Sequence, residues 1–220
     1  MEIRRILQAV AKAYRDFANA FSEEKNTDEL FAMFEASLRG SLGGYEIVYD
    51  YIWGKDTLGI DGVTKNYHPQ KGDTLIMDIS VGVNGVFCDV CRTFFVGEPN
   101  KKQIEIYETV LASLRAGQKA LQEGARACDI YEAVNTVYLA KGKTLIHHAG
   151  HRIAEKPLLQ PQFLPKNETP LKEGLIYTVE SGLYESFGIR LENDFLIKKT
   201  EAEDLFEDLL PLNIKEYILK

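Results

Sequence analysis

A chain of 220 residues, 45% hydrophobic and 27% charged, has enough apolar material for one folded domain with a true core, or at most two small ones. Its net charge of −7 argues against nucleic acid as a partner, because phosphate binding needs a clustered basic surface, and no run of about 18 apolar residues is present to span a membrane. Arg4 and Arg5 are followed by an amphipathic pattern instead of a signal core, and the cysteines are few (Cys88, Cys91, Cys128), so the expected location is the cytoplasm.

Ile3, Ile6, Leu7, Val10, Tyr14, Phe17 and Phe21 recur at helical spacing and predict a helix over residues 2–22. After the polar break 23–26, Thr27 reads as the cap of a second helix. Asp28 and Glu29 suit its first turn, and Leu30, Phe31, Phe34 and Leu38 line its buried face. Gly43 and Gly44 end that helix, and residues 45–53 read as a strand. From Thr74 to Val96 two β-rich runs flank Asn84-Gly85, a pair that favours a two-residue hairpin because both positions accept positive φ.

Helical spacing returns over 101–122 and again over 127–141; a proline-rich loop, 157–170, leads to strands near 175–184 and 188–198. Cys88-x-x-Cys91 invites a zinc or redox reading, but no second pair completes such a site, and a strand sends positions three apart to opposite faces. The acidic, apolar tail, with Leu205, Phe206, Leu209 and Leu210, is expected to pack on the core. Helices alternating with antiparallel hairpins point to an α+β fold, with residues 1–220 as one domain and a tail from about 201.

Asp78 and Asp89 interrupt strands that otherwise look buried, and buried carboxylates are rare unless paired or bound to metal. With Asn84-Gly85 as the turn, Asp89 lies opposite Ser80 and Asp78 opposite Cys91. The two aspartates are then diagonal neighbours on one face, about 7–8 Å apart at the backbone. That spacing suits a pair of ions about 3.5–4 Å apart, and a cation is the natural answer to two adjacent negative charges. The duller account makes one aspartate a turn residue and the other a surface residue.

Glu180 and Glu192 also sit mid-strand among apolar neighbours and share parity, so a hairpin presents both to one face. Arg190 and Asp194 share that parity, which leaves a surface salt-bridge ladder as the alternative. His147 and His151 lie four apart beside a glycine, and an imidazole there completes a mixed O/N set suited to Mn, Co, Fe or Zn.

These segments resemble those of the methionine aminopeptidase, Xaa-Pro aminopeptidase and prolidase superfamily. Asp78, ten residues, then Asp89-Val-Cys-Arg-Thr-Phe-Phe-Val-Gly resembles its D-x(10)-D-x-T-R-T-F-x-V-G segment. His147-His-Ala-Gly-His151 resembles H-G-x-G-H, whose second histidine binds metal. Val179-Glu180-Ser-Gly-Leu-Tyr184 resembles I-E-P-G-L-Y, and Gly188-Ile-Arg-Leu-Glu192-Asn-Asp resembles G-V-R-I-E-D-D. The last segment favours the Xaa-Pro branch, whose members usually carry a further N-terminal domain.

The resemblance implies the pita-bread fold: a curved antiparallel sheet with flanking helices and pseudo-twofold halves. It implies two divalent ions (Mn, Co, Zn or Fe) held by Asp78, Asp89, His151, Glu180 and Glu192, with Glu180 also moving the proton. His147 is expected to hydrogen-bond the substrate or the oxyanion, and Tyr184 and Arg190 to contact the substrate, a peptide losing its N-terminal residue. Dimers are common among relatives, though no patch here demands one.

The chain departs from the family at its auxiliary groups. A second histidine after the metal histidine is missing from the short segment 152–157. Counting back from Gly72 to where another histidine is usual lands on Ile60, next to Asp61, and His68 is out of place. Ser181 replaces a proline and Cys91 a threonine. The rival expectations are therefore an impaired member that binds a peptide or protein, and a hydrolase of a non-peptide C–N bond like the creatinase relatives.

Overall fold

The computed structural model describes residues 2–220 and begins with two helices, α1 (Glu2–Ala20) and α2 (Thr27–Leu42). Strand β1 (Glu46–Trp53) follows, then a 3₁₀ turn (Gly54–Leu58) and the hairpin of β2 (Thr74–Val83) and β3 (Val86–Val96). The same order then recurs. Helices α3 (Lys101–Ala120) and α4 (Ala127–Leu139) precede the short strands β4 (His151–Ile153) and β5 (Leu159–Gln162) and the hairpin of β6 (Ile176–Tyr184) and β7 (Gly188–Ile197). The chain closes with β8 (Ala202–Asp204), a 3₁₀ turn (Ile214–Tyr217) and β9 (Ile218–Leu219).

The predicted elements fall within two residues of their observed ends, with two corrections. The cap of α2 is Asn26, not Thr27. Asn26 Oδ1 accepts from the Glu29 amide at 3.0 Å, and the Glu29 carboxylate accepts from the Asn26 amide at 2.9 Å. Only Asn26 stands three residues before a glutamate, as this reciprocal box requires. The proline-rich loop also contains β5, which lies at the sheet edge, where Pro161 is spared from donating to a neighbour.

The strands form one curled half-barrel sheet in the order β1-β2-β3-β7-β6-β4-β5, with β8 beside β7 and β9 parallel to β3. The two hairpins meet at the centre, where Cys91 faces Glu192. Alternation along each strand divides the sheet's faces. Leu75, Met77, Ile79, Val90, Val179 and Leu191 join the core that packs against the helices. Gly117 lets α3 press against α4 and β6, since a Cβ there would stand 2.5 Å from Val134 Cγ2 and 2.8 Å from Val179 Cγ1. Cys88 and Cys91 fall in different clusters, on opposite faces, and are free thiols.

The tail packs on the core as its apolar residues require. Arg92 is the clasp. Its buried guanidinium donates to the carbonyls of Cys91 (2.8 Å), Glu192 (2.9 Å) and Leu210 (2.8 Å) and to Tyr217 Oη (2.9 Å). It also lies 4.7 Å from the centroid of the Phe206 ring. No carboxylate is among its hydrogen-bond partners, so backbone dipoles solvate the charge. Substituting Arg92→Met leaves three buried carbonyls short of a donor and is expected to cost about 3 kcal/mol or more, read as a lower urea midpoint at unchanged slope.

Candidate metal centre

On the face away from the helices, register aligns the acidic residues. Asp50 of β1 faces Asp78 of β2, Asp78 faces Cys91 of β3, Cys91 faces Glu192 of β7, and Glu192 faces Glu180 of β6. Asp89 lies two residues along β3, opposite Ser80, as the hairpin turn predicted. The surface-ladder alternative fails: Asp89, Glu180, Arg190, Glu192 and Asp194 are all buried.

The histidines enter on the turn before β4. Gly150 adopts φ 129°, and a Cβ there would meet Thr178 O at 2.2 Å, so only glycine lets the turn lie this close to β6. Hydrogen bonds from the Glu180 amide to Ala149 O (3.1 Å) and from the His151 amide to Thr178 Oγ1 (3.2 Å) hold it there.

All five sequence-predicted ligands line one cavity of about 360 Å³, together with His147, His148, Asp50 and Arg190. Asp89, His151 and Glu192 come closest together: one donor atom from each lies within 4.8 Å of the others. His151 Nε2 is 3.5 Å from Asp89 Oδ2 and 3.9 Å from Glu192 Oε1. Glu180 turns to the other histidines, with His147 Nδ1 at 3.5 Å and His148 Nδ1 at 2.6 Å. Asp78 is paired with Arg190, whose Nη2 lies 3.0 Å from Asp78 and 2.9 Å from Asp50. Arg190 also donates to Ile60 O at 2.9 Å. Tyr184 is outside the lining and reaches the site through His147 Nε2, 3.3 Å from its hydroxyl.

Burial and mutual repulsion set the charge states. Loss of water, and then the neighbouring carboxylates, hold Asp89 and Glu192 well above the usual carboxylate range. Burial pushes Asp78 up to about 7 even though Arg190 pulls the other way. Glu180 is opposite in sign: burial works against its charge, but His147 and His148 outweigh burial and hold it below its ordinary value. His147 and His151 are pushed down by burial. Glu192 Oε1 is buried with no hydrogen-bond partner. An orphaned acceptor amid crowded carboxylates and an imidazole is a donor set that fits a divalent cation.

Two residues at this cavity escaped the sequence reading. His148 was hidden by its better-spaced neighbours, and Asp50 by the long 54–73 connection, which conceals the register of β1 on β2. Where further histidines were sought, the cavity wall carries Ile60, Asp61, Pro157 and Leu158, while His68 is exposed and outside the lining.

The model of metallopeptidase family M24 matches residues 1–199. The chain belongs to this family. It is 32% identical over 148 residues to the Xaa-Pro dipeptidase of Pyrococcus furiosus, covering 66% of this chain and 42% of that protein. The solved prolidase from Pyrococcus furiosus superposes with a TM-score of 0.86 at 27% identity, over 93% of this chain and 62% of the other. An X-Pro aminopeptidase from Thermotoga maritima gives 0.91 at 23% identity, over 98% and 62%, a likeness of fold. This M24 chain thus spans about two-fifths of the length of that curated relative. Among the described residues, no helix is long and apolar enough to cross a membrane.

The electrostatics predict a pH signature for the metal-free protein. Raised carboxyl pKa values at Asp78, Asp89 and Glu192 mean that the folded state holds more protons than the unfolded chain from about pH 4 up to at least about 7, where Asp78 titrates, and the lowered His147 and His151 oppose them only below about pH 6.5. Stability then falls as pH rises through that window. Thermal melts of chelator-treated protein are expected to show a lower Tm at pH 8 than at pH 5.5, with Mn²⁺ reversing the drop. A metal-free Tm that climbs over this range contradicts the assignment.

Proposed function

We propose that this chain is the catalytic unit, over residues 1–220, of a dinuclear-metal peptidase that removes the N-terminal residue from peptides of the Xaa-Pro type. The observation that carries this reading is the convergence of Asp78, Asp89, His151, Glu180 and Glu192 on one cavity, with Glu192 Oε1 left unpartnered. These five side chains would hold two divalent ions, of Mn, Co, Zn or Fe type. When bound, the ions supply Lewis acidity that activates water and polarises the scissile carbonyl.

The protein's own groups do the rest. Glu180 takes the proton of the attacking water and passes it to the leaving amine, from its place on the cavity wall beside His147 and His148. His147 steadies Glu180. Its Nδ1 also lies 2.6 Å from His148 O and its Nε2 faces Tyr184, so reaching a substrate oxygen requires the Tyr184 contact to open. Arg190, on the cavity wall, orients Asp78 and marks the substrate side. Val48, Ile60, Pro157 and Leu158 offer an apolar surface to substrate side chains. The three buried free thiols support a cytoplasmic setting.

A peptide-binding module without turnover is the competing reading, favoured by the apolar Ile60 and Leu158 in the cavity wall. A panel of Xaa-Pro and Met-Xaa peptides with added Mn²⁺ separates the two. Metal-dependent release of the first residue is expected, with Asp89→Asn lowering kcat/KM by more than about 100-fold, beyond the loss typical of a ligand's supporting partners. Folded, metal-loaded protein that binds these peptides without cleaving them selects the binding module.

A further inference from the structure

The geometry points to His148 as an additional nitrogen ligand of the metal centre, acting beside Glu180 and beyond the five side chains assigned above. The inference rests on the reading of the cavity as a metal site.

The three clustered histidines differ in what their nitrogens are free to do. His147 has both nitrogens engaged, Nδ1 by the His148 carbonyl at 2.6 Å and Nε2 by the Tyr184 hydroxyl at 3.3 Å. In His151, Nδ1 lies 3.2 Å from Arg152 O, which places the proton there and leaves the Nε2 lone pair facing Asp89 and Glu192. That backbone contact is the usual orienting partner of a metal-bound imidazole.

His148 is the remaining case. Its Nδ1 is buried and makes no hydrogen bond, although it stands 2.6 Å from Glu180 Oε1. With no aligned hydrogen bond at Nδ1, its lone pair is available to an ion that Glu180 Oε1 also meets. Oxygen and nitrogen ligands that each sit about 2.0–2.2 Å from one ion fall about 3–3.4 Å apart, so the 2.6 Å pair opens by less than about 1 Å to admit one. The ring lines the cavity, its side chain is 24% exposed, and its centroid is 5.4 Å from that of His151, so an ion can reach it. A second imidazole among carboxylates moves the preference of a centre away from Mn and Mg and towards Zn, Co and Fe.

Co²⁺-loaded full chain, examined by NMR for paramagnetically shifted imidazole protons, tests this directly. Two metal-coordinated imidazoles are expected in the parent and one in His148→Ala. Calorimetric titration is expected to show Zn²⁺ affinity falling more than about 100-fold in His148→Ala, beyond the loss typical of a ligand's supporting partners, with Mn²⁺ affinity changed far less; His148→Gln, which keeps a polar side chain, checks that the loss is not one of folding. A single coordinated imidazole in the parent, or equal losses for Zn²⁺ and Mn²⁺, overturns the ligand role of His148 and leaves the metal centre standing. Failure of the parent to bind any divalent ion overturns both.

Discussion

Placing Asp50, Asp78, Glu192 and Glu180 in register across four strands, with Asp89 two residues along a fifth, concentrates negative charge where water is scarce. Each carboxylate loses hydration and gains like-charged neighbours, so each must protonate, pair with a cation or bind metal. The surroundings follow from that demand. Arg190 answers Asp78 and Asp50, two histidines answer Glu180, and Asp89 with Glu192 share only His151. The least compensated part of the row is where the donor atoms of a metal site crowd together.

A sheet able to carry this load must be rigid, because a small shift in register would scatter the carboxylates. The apolar face supplies rigidity through α1 to α4, and Gly117 and Gly150 permit close approaches to β6. Arg92 serves the same end by a different route. It ties β3 and β7 at their junction, where Glu192 projects, to the carboxy-terminal tail. A buried cation held by carbonyls thus braces the strands whose opposite face carries buried anions. The tail is thereby a structural support of the site it never touches.

Much of this was readable because the decisive signals are local. Asn84-Gly85 permits one tight turn, and the turn sets which residues of β2 and β3 face each other. The parity of Glu180 and Glu192 placed both on one face before their direct pairing was seen. The tail's fate followed from its apolar residues. What escaped were features that local pattern does not encode: β5 behind its proline, Asp50 beyond a long connection, and His148 among three clustered histidines.

The amino-acid sequence by itself determined the order of the helices and long strands, the register of the β2–β3 hairpin and the residue types that meet on the polar face. Each of these depends on interactions spanning a few residues, and periodicity and turn chemistry report those faithfully. Only the tertiary structure decided how the acidic groups divide among their partners. It paired Asp78 with Arg190, set His148 against Glu180, and left Glu192 Oε1 without a hydrogen bond. Those choices depend on side-chain direction and distance across strands far apart in the chain, and such quantities exist only once the sheet has curled and the water has gone.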